Sequence, residues 1–402
     1  MENIYVLNDD NCLSISSLFT KYSFSLNMTM MHKKYKNYIS SLTFLNDSVI
    51  NIKCLYKLQH LICYQHYCDS DIKYLTKLKF LDLNSNVQIS NLNFLHRLKI
   101  LLLSNNNNVN SLSSLTNLIA LHFGNNKSVD DINFLIRLTR LEFGSNFQFT
   151  GLHTLNRLKI LKLNEQTQIS DISGLTNLEK LSLGRNNKIF TLSTLTGLKN
   201  LNISSNLRLT SLKGLDSLEV LQMGFNQILN LTPINTLHTL HVNNNRKLED
   251  IMTFKNLKTL KLNNNIKIRL IPESVIILYM GDNYGLNIYN LTHLEELYVQ
   301  FNYNLPCIPP QMKRLRVLDL GSNNKIISLK GIDSLTRLAL ANNRILKHLE
   351  SLTNLLELEL GKNNQPLSVK TLTLLTKLFI QDNKRVKDIS CLINLKETDW
   401  VM

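Results

Sequence analysis

Proline and glycine are scarce in this chain, at 6 and 13 of 402 residues. That composition excludes a collagen-like molecule and leaves little from which to build a long disordered linker. No run of about 18 apolar residues exists, so no segment is expected to cross a membrane. Residues 1–10 are acidic and lack the apolar run of a secretory signal. The six cysteines, at positions 12, 54, 63, 68, 307 and 391, show no paired spacing. Together these features fit a reducing, cytoplasmic environment. Catalytic fingerprints are missing too: there is no phosphate-binding loop, no dinucleotide glycine motif, no zinc-protease helix motif and no nucleophile elbow. Neither a cofactor nor an enzymatic activity is expected.

The formal charge is +15. Such an excess suits nucleic acid, an anionic surface or an acidic partner, and also a coding bias that scatters lysine over the surface. No dense basic run exists; the tightest clusters are Lys33-Lys34 and Lys384-Arg385. The scattered reading is therefore preferred and nucleic acid is disfavoured.

What the chain does have is leucine at a fixed period. Leu78-x-x-Leu81-x-Leu83-x-x-Asn86 is followed 20 residues later by Leu98-x-x-Leu101-x-Leu103-x-x-Asn106. The frame continues to Leu375, Leu378, Ile380 and Asn383. Its asparagine slot can be traced through 17 successive units from His66, and 15 of them hold Asn. These are Asn86, Asn106, Asn126, Asn146, Asn186, Asn206, Asn226, Asn245, Asn265, Asn283, Asn302, Asn323, Asn343, Asn363 and Asn383. A weaker unit precedes them at Ile39, Leu42 and Phe44, and a truncated one follows at Leu395, Thr398 and Trp400, making 19 units.

This pattern resembles the leucine-rich-repeat family over about residues 39–400. The resemblance implies an α/β repeat solenoid: an arc with a concave parallel β-sheet and a short convex side. The second half of each unit, as in Ile89-x-x-Leu92-x-x-Leu95-x-x-Leu98, is apolar every third residue. That period suits 3₁₀ or extended backbone better than an α-helix. In Leu-x-Leu both leucines face inward on one strand, and stacked turns bury what a single turn cannot. The asparagine amide is expected to satisfy backbone groups where the chain bends after the strand.

Between the core leucines, one residue per turn faces the concave side. His241, Lys261, Tyr279 and Tyr298 fall there, and with Phe225 and Phe301 on the same run of consecutive turns they form the candidate partner-binding patch. The alternative is that they only pack on one another at an irregular joint. The asparagine spacing does become irregular here, running 19, 20, 18, 19 and 21 residues from Asn226 to Asn323. Prolines enter the same region, at 233, 272, 306, 309 and 310, and should keep the outer segments extended.

His60, Cys63, His66 and Cys68 could suggest a metal, but Cys63 holds a core slot and His66 the asparagine slot, so repeat core is preferred and no metal is expected. Carboxylates such as Glu142 and Glu359 lie on distant turns and do not form an acid–base pair.

Residues 1–38 precede the repeat of residues 39–402. Leu13, Ile15, Leu18 and Phe19, then Phe24, Leu26, Met28 and Met31, suggest short helices capping the open core. The same stretch, from Leu7-Asn-Asp-Asp10 to Lys33-Lys34-Tyr35, is similar to a degenerate F-box with Asn8 where that family has proline. The similarity implies an alternative role as substrate adaptor of a cullin–RING ubiquitin ligase, whose adaptor subunit would bind residues 1–38. The leading expectation is a scaffold that holds a protein partner.

Overall fold

The structure is a computed structural model. It describes the backbone of residues 6–8, 12–15 and 39–43 and most of residues 52–399. Residues 54, 64–66, 145–148, 164–167, 186–187, 227, 229–230, 246, 266, 282, 284, 302–304, 323–324, 342–344, 347, 362–367, 382–385 and 387–388 lie outside the description, as do the remaining N-terminal residues and 400–402. The chain divides into two compact units, Met1–Leu198 and Lys199–Met402.

One turn of the first unit illustrates how sequence becomes structure. The strand Phe80–Asp82 is three residues long, and its central Leu81 points into the core. It pairs in parallel with its neighbours, Leu81 facing Leu61 on one side and Leu101 on the other. The chain then bends through Ser85, whose φ is 61°, to the buried Asn86. On the convex side the N–H of Leu95 donates to the carbonyl of Leu92 at 3.0 Å, and that of Leu98 to Leu95 at 2.9 Å. Each apolar third residue thus closes a β-turn, and the outer wall is a chain of turns joined by extended residues. Leu78, Leu81, Leu83, Leu92, Leu95 and Leu98 are all 0–1 % exposed. Each buried leucine contributes about 1.5–3 kcal/mol relative to exposure.

Within the first unit this geometry repeats through β4 (His60–Ile62) to β10 (Lys180–Ser182), all parallel and in register apart from a shift between His122 and Gly124. Phe123 and Phe143 replace leucine on adjacent turns and stack at 5.4 Å, with Phe149 against both. Cys63 is completely buried in its leucine slot; His66 lies outside the described residues. The one helix among the described residues is α1 (Asp69–Ile72), on the convex side.

The N-terminal expectation needs correction. Val6–Asn8 and Cys12–Ile15 are strands, not helices. They pair antiparallel as β1 and β2, with Asn8 facing Cys12. β2 then runs parallel to β3 (Ile39–Thr43), so the sheet starts before residue 39. The physical signal was alternation: Leu13 and Ile15 are two apart, a strand period, and Asn8-Asp9-Asp10-Asn11 is turn chemistry. The rest of residues 1–38, including Leu18, Phe24 and Lys33-Lys34, lies outside the described residues.

The second unit repeats the architecture from β11 (Asn200–Asn202) through β12 (Val220–Gln222), β13 (Thr239–His241), β14 (Thr259–Lys261), β15 (Ile277–Tyr279), β16 (Glu296–Tyr298), β17 (Val317–Asp319), β18 (Arg337–Ala339), β19 (Glu357–Glu359) and β20 (Lys377–Phe379) to β21 (Glu397–Thr398). Strand register holds across the turns of 18 to 21 residues, so the length changes are absorbed outside the sheet. Pro272 and Pro309 sit in the outer wall, each carbonyl accepting the bond that closes a turn, from Val275 and Met312. Proline fits there because that position needs an acceptor and no N–H.

Candidate functional site

Eight of the predicted ladder asparagines are described: Asn86, Asn106, Asn126, Asn206, Asn226, Asn245, Asn265 and Asn283. All are buried, at 0–3 % exposure. Asn146, Asn186, Asn302, Asn323, Asn343, Asn363 and Asn383 lie outside the described residues. At Asn86 the side-chain oxygen accepts the N–H groups of Gln88 and Ile89 at 3.0 and 2.9 Å, while its NH₂ donates to the Tyr67 carbonyl at 3.1 Å. Asn106 and Asn126 repeat this arrangement, and the Asn126 amide also reaches the Asn106 carbonyl.

The pattern changes where the spacing changes. Asn245 still accepts from Lys247 and Leu248, but its NH₂ has no partner among the described residues. Asn265 turns its NH₂ to the carbonyls of Leu262 and Asn263, and its oxygen has no partner among the described residues. Its backbone N–H instead donates to the Asn283 side chain at 2.7 Å.

The same region carries the aromatic patch. β13, β14, β15 and β16 place His241, Lys261, Tyr279 and Tyr298 in direct register on four neighbouring strands. Tyr279 and Tyr298 stack with ring centroids 4.2 Å apart. Lys261 lies over the Tyr279 ring at 4.4 Å, a cation–π contact. The Tyr298 hydroxyl donates to Glu296 at 2.9 Å, and burial together with that carboxylate holds its proton on well above the usual tyrosine range. His241 is half-buried; burial, then the charge of Lys261, pushes its imidazole below the ordinary value and keeps it neutral. The packing alternative is thus part of the answer: these rings do pack on one another, and they do so at the surface.

Beside the stack lies a cavity of about 200 Å³ lined by Asn263, Asn264, Tyr279, Gly281, Tyr298, Gln300 and Phe301. Gly281 is required at its floor, because a Cβ there would come within 2.7 Å of the Gln300 carbonyl oxygen. Asn263 braces the floor by accepting the Gly281 N–H.

Phe225 and Phe301 sit just before the asparagine slot, in left-handed backbone with φ of 55° and 58°. Elsewhere this slot holds residues that tolerate the conformation, such as Asn105, Asn244, Asn264, Ser85 and Ser205. Both phenylalanines are 59 % exposed. Phe301 joins the tyrosines at the cavity, whereas Phe225 makes no ring contact with the group among the described residues. Sequence periodicity missed Asn263, Gln300 and Glu296, which lie beside the central row and shape the cavity or tie the rings.

No family model matches the chain, and no curated protein matches it. Solved structures do. A leucine-rich-repeat protein from Leptospira interrogans aligns over 95 % of this chain and 100 % of its own at 23 % identity, with a TM-score of 0.56. The functional domain of InlJ from Listeria monocytogenes aligns over 82 % of this chain and 74 % of its own at 20 % identity, TM-score 0.55. This chain has the leucine-rich-repeat fold. A third neighbour, TLR13, solved in complex with ssRNA13, covers 92 % of the leucine-rich-repeat chain described here and 72 % of its own at 18 % identity, TM-score 0.53.

Proposed function

We propose that this leucine-rich-repeat solenoid is a non-enzymatic scaffold that holds a protein partner on the concave ribbon of its second unit. The binding group is Lys261, Tyr279, Tyr298 and Phe301, with His241 at one end and Phe225 at the flank. The observation that carries this reading is Phe301. A bulky residue in left-handed backbone costs about 1–2 kcal/mol, yet the residue is 59 % exposed and most of its surface gains nothing by burial. Exposed aromatics of this kind are the usual anchors of protein interfaces.

Nucleic acid is the weaker reading although TLR13 was solved with ssRNA. The concave row continues past the tyrosines to Asp319 and Glu359, which repel phosphate. The ligase-adaptor alternative needs helices within residues 1–38, and strands occupy Val6–Asn8 and Cys12–Ile15. The scaffold reading is preferred on that ground.

The test is affinity purification with mass spectrometry from cell lysate, comparing the wild-type chain with Tyr279→Ala/Phe301→Asn and with residues 39–402. Partners lost only with the double variant, while its cooperative thermal unfolding shows that it is folded, support the ribbon. Partners retained by the double variant overturn it, and a cullin–RING adaptor subunit recovered only with the full chain would restore the ligase alternative.

A further inference from the structure

We propose that the partner presents an arginine, seated against the free face of Tyr298 and held by the Asp319 carboxylate. This deepens the scaffold reading and rests on it.

The concave row steps down abruptly after Tyr298. The next residues in register are Asp319 and Ala339, a short carboxylate and a methyl group. One face of the Tyr298 ring is covered by Tyr279, with the planes 3° from parallel. The other face looks along the row toward Asp319, and among the described residues no ring or cation contact covers it. The seat has an aromatic wall, a carboxylate floor, and Gln300 and Glu296 at its sides. The cavity of about 200 Å³ adjoins this seat at Tyr298 and Gln300 and is lined by neither Asp319 nor Glu296.

Among the described residues, neither Asp319 nor Glu296 makes an ion pair. Asp319 accepts the Gly321 N–H at 2.9 Å and the Gln300 amide at 2.6 Å. Glu296 accepts the Tyr298 hydroxyl. These donors are all neutral. Lys261 is on the far side of Tyr279, and Arg337 is engaged by Glu357 at 3.6 Å. Two turns beyond Asp319, Glu359 adds another carboxylate to the row. On a chain of formal charge +15, the concave row of Tyr298, Asp319, Ala339 and Glu359 thus carries two carboxylates and no basic side chain. The complementary group is a cation. A flat one that stacks on an aromatic face while its fork of N–H groups meets a carboxylate is guanidinium rather than ammonium.

The experiment pans the full-length chain against a displayed library of random linear peptides and measures the enriched peptides by fluorescence anisotropy. The expected result is a shared arginine. Changing that arginine to lysine weakens binding roughly tenfold, as do Asp319→Asn and Tyr298→Leu in the chain, with the thermal midpoint of Asp319→Asn unchanged. Peptides enriched without arginine, or binding indifferent to Asp319→Asn, overturn the assignment. If Tyr279→Ala/Phe301→Asn abolishes such arginine-independent binding, the ribbon stands and only the arginine falls. If that double variant binds normally, both fall. Binding of a single-stranded oligoribonucleotide that Lys261→Ala abolishes would assign the face to nucleic acid and overturn the proposal as well.

Discussion

Tyr279 and Tyr298 face each other on adjacent parallel strands, and their rings stack 4.2 Å apart with planes 3° from parallel. Lys261 adds a third layer, 4.4 Å above the Tyr279 ring. Successive turns of a solenoid repeat the same side-chain direction at the strand spacing of about 4.8 Å, so identical neighbours stack by default. A denaturant double-mutant cycle with Tyr279→Leu and Tyr298→Leu should give a coupling of about 0.5–1.5 kcal/mol. A coupling near zero would show that the rings share a row without acting together.

Phe301→Asn separates stability from binding. Asn105, Asn244 and Asn264 already occupy the equivalent left-handed position, with φ of 56–59°. The substitution relieves bulky-residue strain and removes a ring that is 59 % exposed. The expected outcome is a stability gain of about 0.5–1 kcal/mol by chemical denaturation, together with weaker partner binding. Loss of stability would mean that the ring contributes packing which its exposure does not reveal.

How much of this could be read in advance follows from what each residue responds to. Leu81 and Leu83 answer to their own turn, two apart on a strand, so the leucine frame and the fold were legible in the period. Asn86 was legible for the same reason, since its bonds to Gln88 and Ile89 are local. The row from His241 to Tyr298 was legible because register converts a fixed slot into adjacency. Asn263 and Gln300 were not, because the cavity depends on contacts between turns whose lengths differ. Cys12–Ile15 was misread because four residues carry too little pattern to separate a strand from a helix.

The asparagine ladder should be uneven in strength. Asn126 accepts two N–H groups and donates to two carbonyls, whereas Asn245 accepts two and donates to none. Replacing Asn126 with leucine strands groups on both sides and should cost about 1–3 kcal/mol. Asn206→Leu falls in the same range, because its oxygen accepts Arg208 and Leu209 at 3.1 and 2.9 Å. Asn245→Leu removes an unpartnered donor along with its acceptor and should cost less than either. Urea denaturation of the three variants orders them; equal losses would show that only the accepting oxygen matters.

Asp82 offers a test of sign. It is 7 % exposed, and burial raises its carboxyl above the ordinary value of 3.8, opposed by the Asn84 N–H and then by His122. The folded chain therefore holds this proton more tightly than the unfolded chain. Its contribution is fully favourable below the ordinary value of 3.8 and is lost as pH rises through the folded value. At neutral pH the buried charge is thus a net burden. Asp82→Asn keeps an oxygen for the Asn84 N–H, now at 2.9 Å, and removes the charge. The variant should be more stable than wild type at neutral pH, with the gap closing as the medium is acidified below the carboxylate range. Denaturant midpoints across that range decide it: a variant less stable at neutral pH would mean that His122, facing the next strand but one, compensates the carboxylate more fully than burial penalises it.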